Sequence, residues 1–422
     1  MTIQTTYNSI PRSVWAEMVR KAPTGNWFQS PEAYEFYASQ PELFKPFVVG
    51  VASLQQCSTD GHRQSDRAEL FTHEGRREQL RGICVGYVTV EKNPVKQFFT
   101  RRVIILGGPA LADDATDEEV VALLEAVKTK TRHLQSLHSD LHETTHQSAC
   151  MQAFRQSEDL SLIAVEQQDA SQKHAALTKN TKNIFYPYEP IYIETRNFND
   201  YSRWKDAFTA AGFEYVPHLN FHVDTSSVEV GEANIGKSRK RDIRTTIREG
   251  VTITSIYDLG LQIDDFERER MVHEYYQVLK NLYKTKVKTP LFPESFFQAL
   301  AKHPDARFLL TKLNGKIIGG TVCVAQEGKC LYEWFACGED GVYPHVFPSC
   351  YATYAGIRYA AEHNMPRFDM MGAGKPDEAY GVRDFKAKFG GKEVEYGRFL
   401  CVTKPLLYNM GVIGVKLLKK LK

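Results

Sequence analysis

The chain has no C-x-x-C pair. Its eight cysteines, Cys57, Cys84, Cys150, Cys323, Cys330, Cys337, Cys350 and Cys401, are scattered over 422 residues. That spacing argues against a disulfide framework and fits a reducing compartment. Cys323, Cys330 and Cys337 are evenly spaced, but they sit in strand-like text (TVCVAQ, KCLYEWFAC) with no histidine beside them. They read as small buried hydrophobes rather than metal ligands. A dominant charge is also missing: 53 basic and 51 acidic side chains leave a net +2. Any polyanion must therefore be held by a local patch, not by a global field. No run of about 18 apolar residues occurs, and no apolar segment follows Met1. Neither a membrane span nor a signal peptide is expected, so the expectation is a soluble, cytoplasmic chain.

What is present is one order of elements, twice. The first copy reads as strands at Phe47–Ala52, Ile83–Val90 and Val103–Pro109, a helix from Asp117, a strand at Ile191–Thr195, a helix over Tyr201–Ala211 and a strand at Tyr215–Asp224. The strands are β-branched and bounded by glycine and proline; the first helix opens on acids, where its dipole favours them. The second copy has strands at Phe308–Leu313, Ile317–Ala325 and Leu331–Ala336 and a helix over Ser349–His363. A strand at Arg367–Met371, a helix over Gly381–Phe389 and a strand at Val394–Val402 complete it. Hairpins followed by helical crossovers predict an α/β (α+β) chain of two mixed, mostly antiparallel sheets flanked by helices. The expected domains are 1–225 and 226–422, with polar insertions near 55–81 and 132–183 in the first. His138, His142 and His146 have helical i, i+4 spacing in the second insertion. With no carboxylate or cysteine converging on them they read as a solvated helix, and no metal is expected.

Three segments carry a family resemblance. KSRKRDIRTTIREGV (Lys237–Val251) resembles the basic R-x-I-R-K-A-x-x-x-G-V segment of Fem-type (FemABX-like) proteins, related to the BioF2-like acetyltransferase domains. GVRDFKAKFGGKEVEYGRF (Gly381–Phe399) resembles their G-L-Y-x-F-K-x-x-F-G-G-x-x-x-x-Y segment. His345–Gly374 resembles the helix and strand between, ending in a D-x-x-G loop at Asp369 and Gly372. The order β-β-β-α-β-α-β is that of the GNAT acyltransferase fold. The resemblance implies tandem GNAT-like domains moving an aminoacyl group from aminoacyl-tRNA, or an acyl group, to an amine of a cell-wall or polysaccharide precursor. No permanently bound cofactor is implied. Two departures bear on the donor: Asp265–Leu300 contains no long helical arm, and Arg244-Thr-Thr stands where the family has Arg-Lys-Ala.

On a helix, Lys237, Arg241, Arg244 and Arg248 fall on one face and Ile243 and Ile247 roughly opposite. Such a row suits phosphate oxygens of a diphosphate or of RNA, and equally a solvated face paired with Asp242 and Glu249. The resemblance implies that the lysine after Phe385, Lys386, stabilises the oxyanion of acyl transfer, with Lys388 in reserve; both lysines also fit as covers over the Phe385–Phe389 pair. Asp369, at a strand end beside glycines, fits either an amine-orienting base or a turn cap. Tyr332, Glu333, Trp334 and Phe385 are expected to line the same cleft, Glu333 as a further base. A Q/R-x-x-G-x-G/A loop, which would hold the pyrophosphate of acyl-CoA, is absent. Phe28-Gln29-Ser30-Pro31 reads as a helix entry with Ser30 as cap and no chemistry. From Leu406 an apolar helical stripe with Lys416, Lys419, Lys420 and Lys422 predicts an amphipathic C-terminal helix, docked on the protein or peripheral at a membrane. The competing readings are an acyl-CoA-dependent N-acyltransferase on a sugar nucleotide or glycan, and a non-catalytic RNA- or phospholipid-binding module.

Overall fold

The computed structural model describes residues 3–7, 10–54, 70–73, 76–91, 97, 100–134, 189–260, 263–287 and 290–420. Most of both insertions, with His138, His142 and His146, lies outside the described residues. Where the first insertion is described it is not loop: Leu70–His73 and Arg76–Thr89 are paired strands. The polar text hid them because Glu78 and Arg81 are buried, Arg81 against Glu119 at 3.2 Å.

Two sheets organise the described chain. The first contains β1 (Ile3–Tyr7), β2 (Phe44–Leu54), β3 (Leu70–His73), β4 (Arg76–Thr89), β5 (Arg102–Gly107), β6 (Ala110–Leu111), β7 (Tyr192–Asn197), β8 (Glu214–Val216) and β16 (Arg398–Val402). Its order is β1-β2-β4-β5-β7-β16-β8, with β3 and β6 on β4. The second contains β9 (Leu219–Asp224), β10 (Thr252–Ser255), β11 (Ala306–Leu313), β12 (Lys316–Gln326), β13 (Cys330–Gly338), β14 (Arg367–Gly372) and β15 (Lys392–Glu395), in the order β10-β11-β12-β13-β14-β9-β15. Helices Pro348–Glu362 and Asp265–Leu282 pack on the second sheet, and Asp117–His133 on the first. The last of these starts on a full capping box, Thr116 with Glu119.

The sheets trade strands. The stretches expected as single strands at Tyr215–Asp224 and Val394–Val402 each break in the middle. β8 pairs with β16 in the first sheet, while β9 pairs with β15 in the second. The breaks fall at Pro217–His218 and Tyr396–Gly397, where the Gly397 amide donates to the His218 carbonyl at 3.2 Å. Gly397 has φ +63, and a Cβ there would stand 2.2 Å from the Tyr215 ring, so only glycine makes this crossing. A cut at 225/226 therefore does not follow the sheets: β9 lies before it and belongs to the second, β16 lies after it and belongs to the first.

The halves share a core. Phe28 packs edge-on against Trp334 (5.0 Å between centroids) and Tyr332 (5.5 Å), and Phe36 against Phe296 (5.3 Å). Trp27 Nε1 donates to Asp305 Oδ2 at 2.8 Å. Ser30 caps helix Pro31–Ala38 as expected, accepting from the Ala33 amide. The buried neighbour Gln29 does more than sequence reasoning assigned it. β4 and β5 pair only at Tyr87–Ile104 and Val88–Val103. Beyond that, the Gln29 amide bridges them, donating to Val85 O (3.0 Å) and Leu106 O (2.9 Å) and accepting from Val85 N (2.8 Å). Gln29→Leu strands those buried backbone groups, and a loss of about 2–3 kcal/mol in urea unfolding is expected; a loss below half a kcal/mol, on the order of an ordinary surface change, would refute the bridge.

Candidate active site

The two copies differ in one respect that creates a site. In the first sheet the parallel pair β5/β7 stays in register through six residue pairs, Arg102↔Tyr192 to Gly107↔Asn197. In the second sheet the corresponding pair β13/β14 registers only at Leu331↔Phe368 and Tyr332↔Asp369. Past those residues the strands diverge, leaving backbone groups of β14 without a sheet partner on that side. β14 is also irregular against β9 between Asp369 and Gly372, with Met371 at φ +58. That conformation costs a non-glycine residue about 1–2 kcal/mol, and Asp369 holds it: its Oδ1 accepts from the Met371 amide at 2.7 Å.

Lys386 fills the divergence. It projects from helix Gly381–Ala387, is 9% exposed, and its Nζ donates to Met370 O and to Gly372 O, the latter at 2.9 Å. Burial pushes its ammonium below the ordinary lysine range, opposed by the carboxylates of Glu333 and then Asp369. An ammonium has three donors; two are spent on carbonyls and one remains. Glu333, on β13, is 5% exposed. Its Oε1 accepts from Thr353 Oγ1 (2.9 Å) and Thr321 Oγ1 (3.1 Å), while its Oε2 has no hydrogen bond among the described residues. Burial pushes this carboxyl above the ordinary range, against the opposing pull of Lys386 and the two hydroxyls.

Both side chains line a cavity of about 320 Å³, with Trp334, Phe292, Met371 and Asn220 among its walls. It lies at the strand exchange: His218, Gly397 and Arg398 line it from the crossing, and Tyr87 and Arg196 from the first sheet. Glu194 pairs with both Arg196 (2.9 Å) and Arg398 (2.7 Å). His218 is held down to about 4, first by burial and then by Arg398, so it is neutral. Its Nδ1 lies 3.2 Å from Leu219 O and its Nε2 2.8 Å from Arg398 Nη2, which spends both ring nitrogens and removes it as a proton acceptor.

Of the candidate site residues, Lys386, Glu333 and Trp334 line the cavity, with Gly372 of the D-x-x-G loop, and the other candidates do not. Asp369 is fully buried behind it. Burial alone would raise its carboxyl, but His222, Arg367 and the Met371 amide outweigh burial and lower it. Its Oδ2 stands 3.1 Å from His222 Nε2, an ion-pair distance outside hydrogen-bond geometry. Asp369 is thus the turn cap rather than the base. Tyr332 is fully buried, its hydroxyl 3.2 Å from Arg367 Nη2. Lys388 is exposed, and its carbonyl takes the Gly236 amide at 2.9 Å. Phe385 is half-buried under the Arg239 guanidinium, 4.6 Å from its ring centroid.

The basic row is a surface feature. Lys237, Arg241, Arg244 and Arg248 are all exposed on helix Lys237–Arg248, and none lines the cavity. The helix docks through Asp242, Ile243 and Thr246; Ile247, expected on the docked side, is 47% exposed. Arg239 fastens it, over Phe385 and Phe389 and 2.7 Å from Cys350 Sγ. The cationic row therefore borders the segment that delivers Lys386 without entering the cavity. Glu194, Arg196 and Arg398 escaped sequence reasoning because they lie on strands of the other sheet, and His218 because it sits at the break between β8 and β9. The one local signal was the alternation of charge in Glu194-Thr-Arg196, inside text otherwise fit for a buried strand.

Residues 237–386 match the family model for an acetyltransferase (GNAT) domain. No curated protein matches the chain. Among solved structures, FemX is similar over 96% of this chain and 99% of its own, at 12% identity and a TM-score of 0.56. The C-terminal domain of a putative lysylphosphatidylglycerol synthetase from Agrobacterium fabrum is similar over 77% of this chain and 83% of its own, at 10% identity and a TM-score of 0.44. A tandem GNAT protein from the clavulanic acid biosynthesis pathway is similar over 85% and 83%, at 9% identity and a TM-score of 0.40. Residues 237–386 thus match an acetyltransferase (GNAT) domain, and the chain as a whole has the fold of FemX.

Proposed function

We propose that this cavity transfers an aminoacyl or acyl group to an amine of a cell-wall or polysaccharide precursor, by direct attack and without a covalent enzyme intermediate. The observation that carries the reading is Lys386, buried in the gap between β13 and β14 with one donor unspent and Glu333 as its neighbour. The acceptor amine attacks the carbonyl carbon of the donor and forms the C–N bond. The carbonyl oxygen takes the negative charge, which the third Lys386 N–H stabilises. Glu333 takes the proton from the nitrogen. Collapse breaks the bond to the leaving oxygen or sulfur, which receives a proton from Glu333.

One observation favours aminoacyl-tRNA over acyl-CoA as donor. Helix Pro348–Glu362 follows β13, where the amides of a helix N-terminus could hold a pyrophosphate. Here the Ser349 amide donates to Asp340 Oδ1 at 3.2 Å, and its hydroxyl to Asp340 Oδ2. A carboxylate already sits on the amide an anion would use. The exposed row Lys237, Arg241, Arg244, Arg248 supports an RNA donor in turn. Labelled aminoacyl-tRNA and labelled acyl-CoA, each offered with uridine-diphosphate-linked peptide and amino-sugar acceptors, decide the matter. Label is expected on the amine from aminoacyl-tRNA; no transfer from either donor would overturn the reading. The triple substitution Arg241→Ala, Arg244→Ala, Arg248→Ala is expected to weaken tRNA binding by about 10- to 100-fold and to flatten its salt dependence. An unchanged slope would remove the row from donor binding.

The C-terminal helix Pro405–Lys420 supports a place at an anionic membrane surface. Leu406, Met410 and Ile413, at i, i+4 and i+7, are 75%, 54% and 57% exposed, and the same helix carries Lys416, Lys419 and Lys420 in sequence. Among the described residues no helix is long and apolar enough to cross a membrane. Co-sedimentation with phosphatidylglycerol vesicles but not phosphatidylcholine vesicles is expected, and is expected to vanish in Leu406→Ser, Met410→Ser, Ile413→Ser. Failure to sediment with either vesicle would discard the anchor.

A further inference from the structure

The transfer step leaves two guanidinium groups of the cavity unused. Arg196 on β7 and Arg398 on β16 are direct partners across the antiparallel pair, a placement of like charges that destabilises a sheet unless something offsets it. Glu194 offsets half of it: one carboxylate binds Arg196 through Nε at 2.9 Å and Arg398 through Nη1 at 2.7 Å. Arg398 spends its other terminal nitrogen on His218. Because His218 is neutral, it orients Arg398 and adds no charge. Arg196 spends neither: among the described residues, both of its terminal nitrogens lack a hydrogen-bond partner. Its side chain is 34% exposed, and it lines the cavity with Arg398. Two buried or part-buried arginines elsewhere in the fold are used differently. Arg307 directs one terminal nitrogen to the Pro304 carbonyl and the other to Glu327, and Arg367 directs its pair to Asn199 and Tyr332. Arg196 alone of the three holds an open, planar fork, a geometry that suits two oxygens of one anion.

We propose that Arg196, positioned by Glu194 and backed by Arg398, binds an anionic oxygen group, carboxylate or phosphate, carried by the acceptor molecule close to its reacting amine. The assignment to the acceptor rests on the acyl-transfer reading. An aminoacyl ester brings an ammonium, not an anion, next to its carbonyl. A cavity of about 320 Å³ is at the small end for ligand sites, so the anion and the amine it holds belong to one compact end of the acceptor. The acceptor is thus an amine bearing its own negative charge rather than a simple amino sugar.

The test separates anion binding from catalysis. Three probes, 6-aminohexanoate, 3-aminopropyl phosphate and hexylamine, are titrated by ligand-observed NMR into the wild-type chain. At least one of the two anionic probes is expected to bind about tenfold or more tightly than hexylamine, which identifies carboxylate or phosphate as the preferred group. Arg196→Met is expected to erase the difference, Arg196→Lys to retain part of it, and Glu194→Gln, which frees both guanidiniums, to enlarge it. Equal binding of all three probes, or an anion preference that survives Arg196→Met, would overturn the inference. If Arg196→Met does not fold, Glu194→Gln decides, since unchanged or weaker anion binding in it is equally fatal. Labelled-donor transfer is run in parallel on the same probes and on the precursors. Anion preference without any transfer condemns the acyl-transfer reading alone, and transfer without anion preference condemns this one alone.

Discussion

Lys386→Met is expected to lower the rate of transfer by about 10²–10³ with little change in the apparent affinity for either substrate. The side chain has no room to do its work by general attraction: two of its three donors are tied to Met370 O and Gly372 O, and only the third is available. An interaction made by one donor to an oxygen that becomes charged only during reaction appears in kcat and not in KM. Methionine keeps most of the packing, and removing a buried ammonium relieves a desolvation cost, but Met370 O and Gly372 O lose their donor, so a cooperative melt is expected at a stability lower by about 1–3 kcal/mol, and rates are compared well below it. Loss of rate with a cooperative melt is the signature. Full transfer by Lys386→Met would end the role, and is the outcome that a lysine merely covering aromatics would give. Lys388→Met, with its side chain exposed and away from the cavity, serves as the control.

Much of the architecture was legible because it repeats. Two runs of strands joined by hairpins and then by helices cannot bury their apolar faces except as two sheets with helices against them, and the text from Phe308 to Met371 reads that way residue by residue. Lys386 was legible for a narrower reason: the apolar spacing of Val382, Phe385 and Phe389 sets the helix, and the family resemblance picks out the lysine. The site as a whole was not. Pairing of β13 with β14 stops after Tyr332↔Asp369, and nothing in Glu333-Trp334-Phe335 announces that they stand at a divergence. The strand exchange was missed because Tyr215–Asp224 and Val394–Val402 look continuous in apolar character; Pro217 and Gly397 were the marks of a break. Missing the exchange also hid Arg196, His218 and Arg398: the first two belong to the first half of the chain and Arg398 to a strand of the first sheet, and none had an evident reason to face a cavity in the second. Asp369 and Glu333 exchange places for a related reason: sequence puts Asp369 first as a base, the structure makes it the cap of Met371, and Glu333 is the base in the mechanism proposed. Both are carboxylates in strands, and only their hydrogen bonds distinguish the one that caps a bend from the one with a free oxygen at the cavity.

That ranking has a consequence in the pH profile, and Glu333→Gln exposes it. Glutamine preserves the shape and can still accept from Thr321 and Thr353, so the variant is expected to fold. It cannot take a proton, and a fall of about 10²–10⁴ in kcat/KM is expected. In the wild type, activity rises as Glu333 loses its proton. Because burial raises that carboxyl, the acidic limb is expected above the ordinary carboxylate range. At the alkaline end activity falls as Lys386 loses its proton, and because burial lowers that ammonium, the limb is expected below the ordinary lysine range. The two groups are coupled: Glu333 is the larger of the charges that hold Lys386 up. Removing the carboxylate therefore abolishes the acidic limb and moves the alkaline limb to lower pH. Measuring wild type and variant with one acceptor cancels the titration of the acceptor amine itself. An acidic limb that persists unchanged in Glu333→Gln would take the proton transfer away from Glu333. An alkaline limb that stays put would show that the two side chains do not share one electrostatic environment, and the single-cavity chemistry of Lys386 and Glu333 would fail with it.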